Sequence, residues 1–448
     1  MADDRRAWRV VLVGWAVLSA AAVGFVAKFG VDGPLSDEWV LLAPLVGERP
    51  VLPWLWEPHN EHRYPLPRLL WLTLHRLTNF DFRAGTFASV AVVSAAGLGL
   101  ATTARKLRGR ARAADVLLPA LLLHFGHWEN WLIGYQLAFA LAVGLAAAAV
   151  GLLATAGDPP RPGRLLAAGL AVALLGPCGA AGVVLALPLA AGVLLGASRL
   201  ARTGRRPAAA CAAVLPLVAL AYATVYLATL GGGGPKPVST AVEKLAVAGE
   251  VLAGGLGPAG RSTWPASGVL AAAAVAAATA ASLRQLGRGP QRSAAVGVLA
   301  GLAGVVGVAA SVGVSRAGIM PEVGFSSRYG LFAALGLGTA YLATARPVVG
   351  RATTAGEWLG LAVVLAAVAA AAPPSVEVGA VYRNNGRAVW YQARSGATNE
   401  ELTGRFVNAV FAGEDTPDFR AQFSAALKLC ERHRIGPYRP RRGDGPAG

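Results

Sequence analysis

Cysteine, methionine, histidine and acidic residues are all scarce in this chain of 448 residues. It has three Cys, two Met, six His and 24 Asp and Glu. The cysteines, Cys178, Cys211 and Cys430, form no paired spacing, so the sequence predicts neither a disulfide framework nor a cysteine metal site. An internal repeat and a Gly-rich phosphate loop are also absent, which argues against a repeat array and a P-loop nucleotide-binding domain.

Charged residues make up only 15% of the chain, whereas 55% is hydrophobic and the mean hydropathy is +0.50. This composition is typical of a polytopic membrane protein rather than of a large soluble core. The net charge of +17 does not indicate nucleic-acid binding, because the arginines fall in short clusters between apolar runs, as topology signals do. The N-terminal run shows no small-residue cleavage site and is interpreted as a retained anchor.

Apolar runs of roughly 20 residues predict an all-α transmembrane bundle of about eleven spans. Two of the runs, 114–126 and 165–178, are short. The predicted spans lie near residues 8–30, 84–103, 114–126, 135–156, 165–178, 180–198, 208–230, 265–284, 293–313, 328–345 and 355–373.

Basic clusters support this count, since every short basic loop then falls on one side of the membrane. The positive-inside rule makes that side cytoplasmic and predicts a multi-pass plasma-membrane protein with a cytoplasmic N-terminus and an extracytoplasmic C-terminus. The predicted division is a transmembrane domain at 1–373, with its first outer loop at 31–83, and a small extracytoplasmic domain at 374–448. The clusters begin at Arg5, Arg105, Arg161, Arg199, Arg284 and Arg346.

The first outer loop concentrates the rare residue types, because five of the 24 acids and two of the six histidines lie between Ser36 and Arg63. Such a cluster is unfavourable in an apolar chain unless it faces water or a substrate. Behind it, leucines at 66, 69, 70, 74 and 77 predict an amphipathic helix in the outer interface. A second interfacial helix is expected within 241–257, although both could be ordinary surface loops.

Other unusual polar residues fall on the same predicted side. They occur in HFGHWENW, with His127 and Glu129, and in SSRYG, with Arg328 and Tyr329. A transporter is expected to place polar groups near the bilayer midplane, often on broken helices. A one-sided arrangement instead suits an enzyme or receptor that works at the outer surface.

These features together resemble the integral-membrane glycosyltransferases of the GT-C superfamily. The resemblance rests on the acidic pair Asp37-Glu38 in the first outer loop, the interfacial helix behind it, about eleven spans and the late Arg328-Tyr329. A further likeness is to uncharacterised bacterial members with an HNEHR-like segment, here His59 to Arg63. The resemblance to the superfamily covers residues 8–373. The tail has no counterpart in these enzymes.

The resemblance implies transfer of a sugar from a polyprenyl-phosphate-linked donor to a glycan or lipid acceptor of the cell envelope. Such chemistry needs a carboxylate to accept the proton of the acceptor hydroxyl, cations or a metal to stabilise the departing phosphate, and aromatic faces for sugar and lipid. Asp37 is the expected base, with Glu38 as its alternative. Arg328, Arg63 and Tyr329 are expected to bind the phosphate. The expected substrate-binding residues are Trp54, Trp56, Glu57, His59, Asn60, Glu61, His62, His127 and Glu129.

Simpler interpretations remain open for each group. Asp37 and Glu38 could cap a loop helix, and Arg328 could extend to lipid headgroups. The H-x-x-H of His59 and His62 is a weak metal signal, so a divalent cation stays an open alternative to the arginines. Tryptophans 128, 131 and 264 are interpreted as an interfacial belt.

The rival function is a non-catalytic transport or assembly protein for a cell-envelope polymer. An enzyme should bring Asp37, the His59–Arg63 segment and Arg328 to one outward cavity, whereas a transporter should show a polar path to the inner side. The sequence leaves open the sugar, the acceptor, the stereochemistry, the metal dependence and the oligomeric state.

Overall fold

Every regular element in the described part of the chain is helical. The structure, a computed structural model, describes residues 2–59, 62–230, 238–287, 291–345, 352–410 and 415–439. The α-helices are α1 Ala2–Phe29, α2 Leu42–Leu45, α3 Val51–Trp56, α4 Pro65–Leu77, α5 Arg83–Arg108, α6 Leu117–Leu123, α7 Trp128–Leu132, α8 Leu137–Ala154, α9 Pro162–Leu175, α10 Ala180–Arg202, α11 Arg206–Ala228, α12 Ala241–Ala253, α13 Pro258–Ser262, α14 Ala266–Gln285, α15 Arg292–Arg316, α16 Gly330–Thr344, α17 Ala352–Arg394, α18 Asn399–Val410 and α19 Pro417–Arg432.

Among the described residues, eight helices are long and apolar enough to cross a membrane, which confirms the all-α, multi-pass pattern. They are α1, α5, α8 with the turn before it, α10, α11, α14, α15 and most of α17. The other three predicted spans, 114–126, 165–178 and 328–345, correspond to the shorter helices α6, α9 and α16. The predicted count of eleven therefore stays a prediction.

The two ends of the bundle differ, and α16 connects them. We call the end that carries residues 31–83 the loop end. The opposite end, with 105–116, 155–164 and 199–206, is called the basic end. Tyr341 near the end of α16 donates a hydrogen bond to Asp115 at the basic end (2.8 Å), while Gly330 at its start lies against His127.

Helix α17 continues through the predicted boundary at residue 373. It runs 43 residues and contains Pro373 and Pro374 in its interior. Proline removes a backbone N–H and usually interrupts a soluble helix, but packed neighbours allow it inside membrane helices. The region assigned to the tail thus begins as an extension of the last apolar helix.

The rest of the described tail packs on the first loop. Helix α19, predicted from the spacing of Phe419, Phe423, Leu427 and Cys430, buries the last three of these residues. Phe423 meets the Trp39 ring edge-on, with centroids 4.8 Å apart. First loop and tail therefore share one hydrophobic cluster at the loop end.

Each of the two predicted interfacial helices leaves part of its apolar face exposed. In α4, Leu69 and Leu77 are exposed, whereas Trp71 and His75 on another face are buried. In α12, Val242 and Leu245 are likewise exposed. Exposed apolar faces of this kind suit contact with lipid at a membrane interface.

Candidate functional site

The adjacent acids Asp37 and Glu38 point into different surroundings. Both lie in a 3-10 helix, Ser36–Leu41, which follows the Gly33-Pro34 turn. The Asp37 side chain is 42% exposed, while Glu38 is 1% exposed. Only Asp37 of the pair presents its carboxylate to solvent.

Glu38 holds the loop together as a neutral group. Its Oε1 accepts a hydrogen bond from Trp71 Nε1 (2.8 Å) and its Oε2 accepts one from the Leu35 backbone N–H (3.1 Å). Burial raises the pKa of Glu38 to about 8, although these two hydrogen bonds oppose the shift. The capping interpretation therefore fits Glu38, whose carboxyl group accepts a hydrogen bond from the Leu35 backbone N–H at the start of the turn.

His75 faces Glu38 without forming an ion pair at neutral pH. Its Nδ1 lies 2.6 Å from the Trp71 carbonyl oxygen and must carry the proton, so the unprotonated Nε2 faces Glu38 Oε1 at 3.9 Å. Burial lowers the pKa of His75 to about 4. Two uncharged side chains thus meet under the loop.

Asp37 lies within a cluster of His59, Tyr64, Tyr135 and Arg328, which we call the Asp37 cluster. Asp37 Oδ2 is 3.5 Å from His59 Nε2, and the His59 ring lies edge-on to Tyr135 at 5.2 Å. Tyr135 in turn meets Tyr64 edge-on at 5.5 Å. Burial raises the pKa of Tyr64, and the negative charge of Asp37 adds to that shift.

Within the His59–Arg63 segment, beside this cluster, the backbones of His59 and His62 pair with each other. Backbone hydrogen bonds join His59 N–H to the His62 carbonyl (2.7 Å) and His62 N–H to the His59 carbonyl (3.0 Å). Asn60 and Glu61 lie outside the described residues. Arg63 donates to the Thr229 carbonyl at the end of α11 (2.8 Å).

The remaining loop candidates divide into buried and accessible side chains. Trp54 is buried in the loop cluster, where the Arg68 guanidinium lies 5.0 Å from its ring centre and donates to the Trp54 and Glu57 carbonyls. Trp56 is 41% exposed and lies under Arg63. The Glu57 carboxylate pairs with Arg49 at 2.6 Å. Trp56 can therefore offer a ring to a ligand, whereas Trp54 cannot.

Arg328 is positioned by hydrogen bonds between two loops. Its backbone N–H donates to Glu129 Oε2 (2.6 Å), and the Glu129 N–H donates to Ser327 Oγ (3.3 Å). Ser327 Oγ donates to the Gly126 carbonyl (2.8 Å). The 126–130 loop thus fixes the backbone of the SSRYG segment.

The Arg328 guanidinium lies over the Tyr329 ring, 5.4 Å from its centre. Burial opposes its charge, but Glu129 and Tyr329 raise the pKa of Arg328 overall, and Asp37 adds a smaller contribution. The fold thus brings Asp37 and Arg328, from opposite parts of the chain, to the same end of the bundle. Burial raises the pKa of Glu129, and Arg328 partly offsets this.

His127 has no place in this cluster. It is fully buried, its Nε2 lies 2.9 Å from the Leu121 carbonyl oxygen, and its ring packs 4.0 Å from that of His124. Burial lowers the pKa of His127 well below its ordinary value. It packs under the 126–130 loop as a neutral side chain.

Tyrosines are the site residues that the sequence analysis missed. Tyr222 and Tyr226 stack on α11 with ring centroids 6.2 Å apart, and Tyr222 meets Trp56 edge-on at 5.8 Å, whereas Tyr64, Tyr135 and Tyr226 are buried. The i, i+4 spacing of Tyr222 and Tyr226 near the loop end of a span is the signal that could have found them. Tyr64 directly follows the HNEHR segment, and this position could have identified it from the sequence as well.

A metal site does not emerge from the described ranges, in which no three His, Cys, Asp or Glu residues are grouped to hold an ion. Glu61 lies outside them. Within the Asp37 cluster, Arg328 is the permanent positive charge.

Comparisons with known proteins add no family. No protein-family model, curated protein or solved structure matches this chain.

Proposed function

We propose that this protein is a membrane glycosyltransferase of the GT-C type. It would transfer a sugar from a polyprenyl-phosphate-linked donor to a glycan or lipid acceptor of the cell envelope. One observation carries the proposal: an accessible carboxylate, Asp37, lies at the same end of the bundle as Arg328, whose backbone is held by Glu129, and tyrosine rings lie beside both residues. Base, phosphate ligand and aromatic surface are the three things this reaction requires.

In this mechanism Asp37 accepts the proton of the acceptor hydroxyl, and His59 at 3.5 Å orients the carboxylate. Arg328 stabilises the charge that develops on the departing lipid phosphate, with Tyr329 beside it. Arg63 and Trp56 extend the surface toward α11. Glu38 supports the turn from below and takes no part in proton transfer, because it is buried.

The rival transport or assembly function receives less support. The central parts of seven of the eight long apolar helices carry no Asp, Glu, Lys or Arg, and α17 carries Glu377, Arg383 and Arg387 only in the part beyond its two prolines. The buried charged residues in the described chain, Glu38, Arg68, Asp115, Arg199 and Glu250, lie near helix ends. Charged residues inside transporters usually mark the substrate path, and this interior has none of that kind.

The proposed setting is the plasma membrane, with the loop end extracytoplasmic and the basic end cytoplasmic. This follows the distribution of the short basic loops. In a Cys211→Ser background, Val238→Cys should react with a membrane-impermeant thiol reagent on intact cells. Arg110→Cys should react only after permeabilisation, and the reverse labelling would overturn the orientation.

The decisive experiment is sugar transfer by Asp37→Asn. Purified full-length protein in nanodiscs would receive polyprenyl-phosphate-linked sugars and cell-envelope glycans, with transfer followed by mass spectrometry. Asp37→Asn keeps the side-chain shape and removes its basicity, so turnover should fall about 10²–10⁴-fold. Asp415→Asn, an exposed tail acid paired with Arg420, is the matched control.

Normal turnover by Asp37→Asn would contradict the proposal. Loss of turnover only in Glu38→Gln would move the base to Glu38.

A further inference from the structure

A cavity of about 450 Å³ opens at the loop end, beside the Asp37 cluster but separate from it. Its walls come from segments 126–129, 254–261, 320–327 and 374–378, which belong to four different parts of the fold. The volume lies within the range of small-ligand sites in proteins.

The charge of the walls disfavours an anionic ligand. Two carboxylates, Glu129 and Glu322, line the cavity together with one guanidinium, Arg261. Arg261 already forms an ion pair with Glu322. Among the described residues that line the cavity, no unpaired cation is therefore left for a phosphate.

The walls also combine aromatic rings with hydroxyl groups. Trp128 and Phe325 line the cavity, as does Ser375 of α17. Ser375 is 1% exposed, and its Oγ has no hydrogen-bond partner among the described residues. A buried hydroxyl normally has a partner, and Ser375 lines the cavity, so we expect a hydrogen-bonding ligand group rather than an acyl chain to lie beside it.

We infer that this cavity binds a neutral, hydroxyl-rich ligand, a glycan unit, and that it is the acceptor subsite of the proposed transferase. Carboxylates accept hydrogen bonds from sugar hydroxyls, Ser375 supplies a further donor and acceptor, and Trp128 offers apolar surface to a sugar ring. The acceptor role rests on the proposed function, whereas the binding of a neutral glycan does not.

Glu129 connects this cavity with the phosphate side of the site. It lines the cavity, and its Oε2 accepts the Arg328 backbone N–H at 2.6 Å. One residue therefore separates the acidic cavity from the positively charged Arg328.

The test measures binding of methyl glycosides of common hexoses and pentoses to the full-length protein in nanodiscs, by saturation-transfer NMR. At least one glycoside should bind saturably to the wild type. Ser375→Ala removes only the unpartnered hydroxyl, so it should leave thermal stability intact and weaken binding about five- to tenfold. Trp128→Ala should weaken binding as well, and Trp358→Ala, an exposed tryptophan elsewhere on α17, is the control.

Absence of saturable glycoside binding would overturn the inference, as would unchanged affinity in both cavity variants. A co-purified phospholipid that is displaced by Trp128→Ala, without any glycoside binding, would assign the cavity to lipid instead. Normal turnover by Asp37→Asn, together with saturable glycoside binding to the wild type, would overturn the transferase and retain the glycan site.

Discussion

Two buried carboxyl groups, Asp115 at the basic end and Glu38 at the loop end, are held in opposite ways. Both Asp115 oxygens lie 3.0 Å from Arg108 Nη1, and Tyr341 donates to Oδ1. Glu38 receives hydrogen bonds only from a tryptophan and a backbone N–H, and faces a neutral histidine. The first is a compensated charge and the second is an uncharged acid.

This difference separates structural charge from charge that remains available. At the basic end, Asp4 and Asp158 are also paired with arginines, at 2.7 and 2.5 Å. At the loop end, Glu57 and Glu48 also pair with arginines, both at 2.6 Å, whereas the turn that carries Asp37 is held by the uncharged Glu38 and leaves Asp37 accessible to a ligand. The comparison therefore assigns a scaffold role to the paired charges of both ends and a chemical role to Asp37.

The largest expected effect is a loss of stability when the buried carboxylate at the basic end is removed. Asp115→Asn removes the carboxylate from a nearly inaccessible Arg108, which should lower the free energy of unfolding by about 3–5 kcal/mol. Unfolding in mixed detergent micelles, followed by circular dichroism, would measure the loss. Asp4→Asn, at the exposed ion pair, should cost much less, and equal stability of both variants would remove the contrast.

A smaller effect is expected at Arg328, and on binding rather than on stability. Arg328→Ala should weaken binding of a polyprenyl phosphate about 10–100-fold, the range for hydrogen bonds to charged groups. Arg328→Lys keeps the charge but loses the planar fork, so it should bind with intermediate affinity. Tryptophan fluorescence during titration gives the affinity, and Arg420→Ala in the tail is the control. Wild-type affinity in Arg328→Ala would favour the simple headgroup contact.

The smallest effect is the pH dependence that Glu38 confers. Its folded-state pKa of about 8 lies above the ordinary 4.5, so the folded protein binds a proton that the unfolded chain releases. The contribution of protonated Glu38 to the free energy of unfolding is complete at low pH and decreases as the pH rises toward 8. His75, with a pKa lowered to about 4 from 6.5, has the opposite dependence, but only below about pH 6.5.

Between about pH 6.5 and 8, stability should therefore fall by about 1.4 kcal/mol per pH unit. Thermal unfolding across this range would show the slope. Glu38→Gln should flatten it, and a slope that persists in Glu38→Gln must come from other groups.

Periodicity and residue type predicted several elements of this fold. The spacing of Phe423, Leu427 and Cys430 predicted α19 and its buried face. The apolar runs predicted the long helices, and the acidic pair marked the loop where Asp37 lies. These features depend on local sequence, which is why they could be predicted.

Features that depend on tertiary contacts could not be predicted in this way. Trp54 and Trp56 are two residues apart in one loop, yet one is buried against Arg68 and the other is exposed. Helix α17 continues through Pro373 and Pro374, where the local sequence predicts a boundary. Tyr64 meets Tyr135, and Tyr222 meets Trp56, only after the chain folds.

The contact of the tail with the first loop has a consequence for biosynthesis. Arg432 pairs with Glu48 across 384 residues of sequence, and Arg439 pairs with Asp32 across 407. At roughly 5–20 residues per second, the ribosome makes α19 about 20–80 s after the loop that it covers. The loop around Asp37 must therefore wait through most of translation with Trp39 uncovered, and its final arrangement is one of the last steps in maturation of the chain.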